Sequence, residues 1–420
     1  MDDLPLSLPG ARPPDVAFDF DGERIPAVAG EPIGVALLRA GRFVLSRSAK
    51  YHRPRGLFCL AGTCGNCLLR VAGAPDARGC ATPVRDGLVV ETQHAVPNAG
   101  HDLLRAIDWA FPRGLDPHGL FARVPLARAA MAGAARHLSG LGALPDRALP
   151  LVPPLPAREA DLCLVGLGHA GRAAATAARA GGATLLAVDR DEPVANVEGV
   201  EVWTGAEALG IWRDGERPLL LLRRDGALQI VRPRRLLLCT GSRDQNLLFA
   251  GNDLPGILGG RAVERLVTRH RLLPSRSALV LGGGPQAEAT CRVLVEAGAE
   301  VAWAAEGSGP EPAGVRRLAD HRAIAARGDT RVREVVLEGP AGRFVWRGGL
   351  VASCAPRAAA FELGVQAGLA VTASGPRGFP LRAAPDGATR LPWLWAAGSC
   401  TDAPVPAGEH GALAGRAAAR

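Results

Sequence analysis

The chain has 420 residues, enough for two to four domains at roughly 150 residues each. Apolar residues make up 48% and charged residues 21%, which excludes a disordered or fibrous chain, and no apolar run approaches the roughly 18 residues of a membrane span. The formal net charge is +8, but Lys50 is the single lysine and the arginines are scattered without interleaved aromatics, so the charge does not mark a nucleic-acid surface.

The sequence begins with an expected hairpin from Val16 to Val28, turning at Asp21-Gly22. A short helix follows, opened by Gly30-Glu31-Pro32 and closed by Gly41. After a cysteine-bearing loop, GLVVET reads as a last strand ending near Glu91. The expected first domain is therefore a β-grasp-like unit over residues 1–95. Residues 96–158 form a helical linker, with helical stretches at His101–Phe111 and Arg123–Leu138 and a proline-rich connector from Pro145 to Pro156.

Two strand–glycine turn–helix–strand units come next. The first runs DLCLV, GLGHAG, RAAATAARA, ATLLAVD from Asp161. The second runs ALVLGGG, QAEATCRVLVEAG, EVAWAAE from Ala278. This predicts an α/β fold with two Rossmann-type dinucleotide-binding domains, both trimmed. The expected boundaries are 159–255 with 380–420 for the first and 256–379 for the second. LLLLRRDG and RRLLLCTG read as strands crossing from one unit to the next.

Nine cysteines, an odd count, and a start without a charged-then-apolar leader argue against a disulfide framework and for a reducing, cytoplasmic setting. Four of them cluster as Cys59-x4-Cys64-x2-Cys67-x12-Cys80. That spacing matches the plant-type [2Fe–2S] pattern. Three thiolates wrap a tight loop and the fourth arrives from another segment. Gly62 and Gly65 allow close backbone approach, and Ala74-Pro75-Asp76 is read as the turn that returns the chain to Cys80. Structural zinc favours two C-x2-C knuckles, and here there is one. A thioredoxin-like dithiol at Cys64 and Cys67 leaves the other two cysteines unexplained.

Gly166-x-Gly168-x-x-Gly171 follows a strand and opens a helix, and Asp189 ends the next strand. The glycines permit the tight turn and pyrophosphate approach, and the acid accepts from a ribose hydroxyl. A flavin or a nicotinamide adenine dinucleotide fits this pattern, as does a Rossmann layer that binds nothing. Gly282-x-Gly284-x-x-Ala287, with Glu306 at the end of the next strand, repeats the theme. It is a candidate site for NAD or another adenine nucleotide, or a purely structural turn. The acidic ends favour a free 2′-hydroxyl over a 2′-phosphate.

The segments SAKYHRPRGLFCLAGTCGNCLLRVAG, CATPVRDGLVVET, TGSRDQNLLFAGNDLPGI and LPWLWAAGSC resemble those of α-type subunits of bacterial flavin-linked amino-acid dehydrogenases. That group includes heterotetrameric sarcosine oxidase, D-hydroxyproline dehydrogenase, opine oxidase and hydrogen cyanide synthase. The resemblance implies an oxidoreductase subunit that carries electrons on a [2Fe–2S] cluster at Cys59, Cys64, Cys67 and Cys80. It implies FAD at Gly166, Gly168, Gly171 and Asp189, with Thr240, Gly241 and Gly398 beside it. It also implies an oxidase-like FAD-dependent β subunit that oxidises the amino acid, imino acid or opine, with room for a small additional subunit. No catalytic acid–base or nucleophile set is expected in this chain.

The chain departs from the group in three places. The stretch between Asp189 and Val200 is short, the second Rossmann unit is shortened after Glu306, and Gly398-Ser399 stands where the group has Gly-Asp. Two alternatives follow from the residues. One is a self-contained NAD(P)H-dependent flavin and iron–sulfur reductase. The other is a structural subunit with a degenerate dinucleotide site. Cys163, Cys239 and Cys291 are expected as core residues, Cys354 and Cys400 as loop residues. Arg53, Arg55, Arg70 and Arg78 are expected around the cysteine loop.

Overall fold

In the computed structural model, the described residues are 4–48, 51–106, 133, 155, 157–182, 184–191, 197–215, 217–307 and 311–420. They divide into two compact units, 1–147 with 244–355 and 148–243 with 356–420. The chain passes between units at 243/244 and 355/356, where the sequence reading puts 255/256 and 379/380. Most of the helical linker, Arg123–Leu138 and the connector Pro145–Pro156 lie outside the described residues, apart from Gly133 and Leu155.

The first unit contains the cysteine-bearing domain. The strands Val16–Phe20 and Glu23–Ala27 form the expected hairpin, with Asp21 and Gly22 both at positive φ as a two-residue turn requires. The five-stranded sheet runs Glu23–Ala27, Val16–Phe20, Val89–Thr92, Leu68–Val71, Ala74–Arg78. The helix Ile33–Arg39 buries Ile33, Val35, Ala36 and Leu37 against it. The return to Cys80 is built differently from the expectation. Ala74–Arg78 is a strand, and the reversal occurs at Ala72-Gly73, at φ 48° and 79°. An alanine in the left-handed region gives no sequence signal, whereas Pro75 and Asp76 gave a false one.

The same unit holds a parallel five-stranded sheet in the order Ile257–Gly259, Leu350–Ser353, Ser277–Leu281, Glu300–Ala305, Val315–Ala319. Two helices, Gly260–Thr268 and Pro285–Glu296, cover it. Their apolar residues join those of the cysteine-bearing domain in one continuous core. An antiparallel pairing of Leu6–Ser7 with Leu272–Leu273 adds a backbone tie.

The second unit is built on a mixed sheet. Glu201–Trp203, Leu185–Val188, Ala157–Val165 and the carboxyl half of Ala227–Leu238 are parallel, and Leu394–Ala396 extends them. Arg217–Arg224 and Glu207–Asp214 continue the sheet antiparallel. The segments LLLLRRDG and RRLLLCTG therefore stay in this unit. Ala227–Leu238 is long enough to serve both halves, pairing with a hairpin strand at one end and a Rossmann strand at the other.

The helices His169–Ala180 and Ala407–Ala419 lie side by side and parallel. A Cβ on Gly411 would strike the Ala170 carbonyl, and one on Gly415 the Ala174 carbonyl. Among the described residues, no helix follows Leu185–Val188 or Glu300–Ala305 before the next strand. No helix of the described residues is long and apolar enough to cross a membrane.

Candidate functional site

The four clustered cysteines come together. Cys59 lies within hydrogen-bonding reach of Cys64 and of Cys80, and Cys80 within reach of Cys67. The contacts run Cys64, Cys59, Cys80, Cys67, as two pairs joined in the middle. Backbone N–H groups point at three sulfurs: Gly62 to Cys80 at 3.2 Å, Cys80 to Cys67 at 3.4 Å and Thr63 to Cys59 at 3.5 Å. Gly62 and Gly65, at φ 66° and 68°, permit this wrap. The Gly34 N–H donates to Gly79 O at 2.8 Å, and a Cβ on Gly34 would lie 3.3 Å from Gly79 C, so the close approach of these two glycines seats the turn that carries Cys80. Cys59, Cys67 and Cys80 are buried and Cys64 is exposed.

Hydrogen bonding among the sulfurs divides them into acceptors and donors. The bond from Cys64, then that from Cys80, holds Cys59 far below the usual thiol range. The bond from Cys80 lowers Cys67. The donors Cys64 and Cys80 are pushed up correspondingly. Thiolate character is what iron requires of a cysteine. Among the described residues, no group of three or more His, Cys, Asp or Glu closes around a point as one metal ion demands. The order of contacts, Cys64 with Cys59 and Cys80 with Cys67, suits a two-iron unit with two sulfurs per iron.

Of the expected arginines, Arg78 touches the loop, donating to Gly62 O at 2.7 Å. Arg53 and Arg55 pair with Asp253 instead, and Arg70 reaches Gly73 O and Glu91. Two partners were missed in the sequence. Arg265 donates to Leu60 O at 3.0 Å, and the Gly259 N–H to Phe58 O at 2.9 Å. Both come from about two hundred residues away, with no local signal.

In the second unit, Gly166, Gly168, Gly171, Asp189, Thr240, Gly241 and Gly398 gather at the carboxyl edge of the parallel strands, where dinucleotides bind in such sheets. Gly166, at φ 97°, has no room for a side chain against the Cys239 carbonyl, nor Gly171 against the Gly166 carbonyl. The space above Gly168 is open. Gly168 caps the helix His169–Ala180 and Pro406 caps Ala407–Ala419, neither with a side-chain bond. Because the helices are parallel, their positive ends meet there, a ready setting for a pyrophosphate.

The Asp189 carboxylate accepts from Leu167 N at 2.5 Å and Asp191 N at 2.9 Å, so it braces the turn. Its remaining lone pairs leave capacity for a hydroxyl. Thr240 donates to Ala360 O at 2.7 Å. Ser399 Oγ lies 3.5 Å from Ser242 Oγ, and Gly398 N–H donates to the buried His410.

At the second turn, Gly282 has no room for a Cβ against the Cys354 carbonyl, and Gly284, at φ 82°, opens onto free space. Trp303 Nε1 donates to Gly282 O at 2.7 Å. Glu306 is exposed at the strand end. Arg317 stands beside it, stacked 3.9 Å from the Trp303 ring centroid and donating to Gly307 O. An arginine at this end was absent from the sequence reading of the turn. Cys354 and Cys400 lie in loops, as expected, and are buried, as are Cys163, Cys239 and Cys291. Burial pushes the Cys163, Cys291 and Cys354 thiols up to about 12.

Residues 14–95 match the family described as 2Fe-2S iron-sulfur cluster binding domain. The chain is 27% identical over 332 residues to sarcosine oxidase subunit alpha of Rhizobium meliloti (strain 1021), covering 68% of this chain and 34% of that one. It thus spans about a third of that relative's length. It is 35% identical over 79 residues to hydrogen cyanide synthase subunit HcnA of Pseudomonas aeruginosa, covering 19% of this chain and 75% of that subunit. The fold is that of the crystal structure of L-proline dehydrogenase from P. horikoshii, with a TM-score of 0.67 and 18% identity over 99% of this chain and 74% of that one.

Proposed function

Because the chain belongs to the family of α-type subunits that join a 2Fe–2S domain to a flavin dehydrogenase fold, we propose that it is the electron-transfer subunit of a flavin-dependent amino-acid or imino-acid dehydrogenase complex. The observation that carries this reading is the cysteine loop, with four sulfurs in two pairs and three backbone N–H groups aimed at them. In it, Cys59 and Cys64 would hold one iron, and Cys67 and Cys80 the other. FAD would be held at the turn Gly166, Gly168, Gly171, where the paired helix ends would bind a pyrophosphate and Asp189 would accept from a ribose hydroxyl. Thr240, Gly241 and Gly398 line the same edge. The second turn, Gly282 and Gly284 with Glu306, takes NAD or another adenine nucleotide.

When bound, a flavin accepts electron pairs and the cluster passes electrons singly. The chain's own residues supply the supports. Rigid glycine turns hold phosphates by backbone alone, and the N–H groups at the sulfurs stabilise anionic thiolates. Exposed Cys64 marks the loop's outward edge, where a partner carrier has the shortest approach. In this reading substrate oxidation belongs to an oxidase-like FAD-dependent β subunit, with a small third subunit accommodated, and the substrate is sarcosine, proline, hydroxyproline, glycine or an opine.

Dye reduction tests this. The chain purified free of partners is expected to reduce no dye with any of these substrates. Activity is expected once the β subunit is co-purified. Substrate-dependent reduction by the lone chain would overturn the assignment.

A further inference from the structure

The turn that presents Cys59 is held from outside its own domain. The carbonyl before it, on Phe58, accepts the Gly259 N–H at 2.9 Å, and the carbonyl after it, on Leu60, accepts the Arg265 guanidinium at 3.0 Å. Leu60 sits at φ 44°, a left-handed conformation that a branched side chain adopts when neighbours impose it. Gly259 and Arg265 belong to the strand end and helix, Gly260–Thr268, of the parallel five-stranded sheet. The residue next to Arg265 is fastened too. Glu264 accepts from Gln286 at 2.7 Å and Thr290 at 3.0 Å, both on the helix that begins at the second glycine turn. Arg265 is thus presented from a helix that is itself braced.

Resting on the cluster reading above, we propose that Arg265 is a positioning residue for the iron–sulfur site, fixing the Cys59 turn and raising the site's reduction potential. The physical reason is twofold. A charge-assisted hydrogen bond to Leu60 O fixes the peptide plane that follows the ligand. A guanidinium one residue from a thiolate ligand also favours the reduced state, which carries one more negative charge.

The experiment uses the full chain, purified anaerobically, in the wild type and in Arg265→Lys, Arg265→Gln and Arg265→Met. Iron, sulfide, circular dichroism, the EPR spectrum after dithionite and the midpoint potential are read for each. Wild-type protein without iron and sulfide defeats the cluster reading itself, separately from this inference. Given a wild-type cluster, Arg265→Lys keeps a potential close to wild type. Arg265→Gln keeps the donor without the charge, and its reduced-to-oxidised ratio at the wild-type midpoint falls on the order of tenfold, about 59 mV for one electron. Arg265→Met shows that fall together with an altered EPR line shape or lowered cluster content. A folded Arg265→Gln with the wild-type potential and spectrum would overturn the proposal. If Arg265→Met does not fold, the Lys and Gln variants decide it.

Discussion

Gly168 and Gly171 are three residues apart, yet the same change has opposite consequences at each. A side chain at Gly171 strikes the Gly166 carbonyl, whereas one at Gly168 meets only open space. Gly171→Ala is therefore expected to cost the fold roughly 1–3 kcal/mol through overpacking, seen as a lowered urea midpoint. Gly168→Val is expected to leave that midpoint in place and abolish flavin retention, because the branched side chain fills the ligand's space. Retained flavin in Gly168→Val would move the site elsewhere. The cysteines separate in the same way. Cys67→Ala is expected to lose the cluster, while Cys291→Ala, at a buried helix position, keeps it, as read by iron content. These positions were legible in the sequence because cluster and phosphate turns are local: spacing and glycines within a few residues define them. Arg265 and Gly259 were not legible, because their partners exist only once two distant segments are packed together.

At the scale of elements, both strand–turn–helix–strand units lie where the glycine pattern puts them, and the first hairpin turns at its Asp-Gly. Hydrophobic runs with distinct punctuation locate such elements well. What failed was the return to Cys80, where the reversal uses Ala72-Gly73 and the more suggestive Pro75 and Asp76 sit in a strand. The segments around LLLLRRDG failed for another reason. A long apolar strand looks alike whether it changes unit or turns back on its own sheet.

The parallel contact of His169–Ala180 with Ala407–Ala419 makes its own prediction. Gly411 and Gly415 stand over the Ala170 and Ala174 carbonyls. Gly411→Leu would wedge the helices apart at the end where their N-termini meet. It is expected to lower thermal stability and, by splaying the paired helix ends, to weaken flavin retention more than a surface change such as Arg416→Ala. Equal flavin retention in the two variants would show that the helix pair does not shape the site.

At the scale of the molecule, the half-buried His270 and the buried His410 set an acid limit. His270 is held down to about 4 by burial first and then by Arg39, Arg269, Arg265 and Arg12. His410 is lowered by burial, against a bond to Ala384 O that favours its charged form. Both are neutral in the fold. The unfolded chain binds protons first as pH falls, so their contribution to stability is full above the ordinary histidine value, about 6.5, and is lost as pH drops below it, for His270 down toward about 4. Melting temperatures are expected to fall between pH 7 and pH 5. His270→Gln is expected to flatten part of that decline, and an unchanged slope would exclude His270 as a source.

Whether the four cysteines carry an electron-transferring two-iron cluster is decided by a metal and sulfide analysis of the chain. Anaerobically purified chain is assayed for iron, acid-labile sulfide and zinc, and its EPR spectrum is recorded after dithionite reduction. About two iron and two sulfide per chain are expected, as a [2Fe–2S] unit requires, with an EPR signal on reduction that is lost in Cys67→Ala. Stoichiometric zinc without labile sulfide would contradict the two-iron cluster.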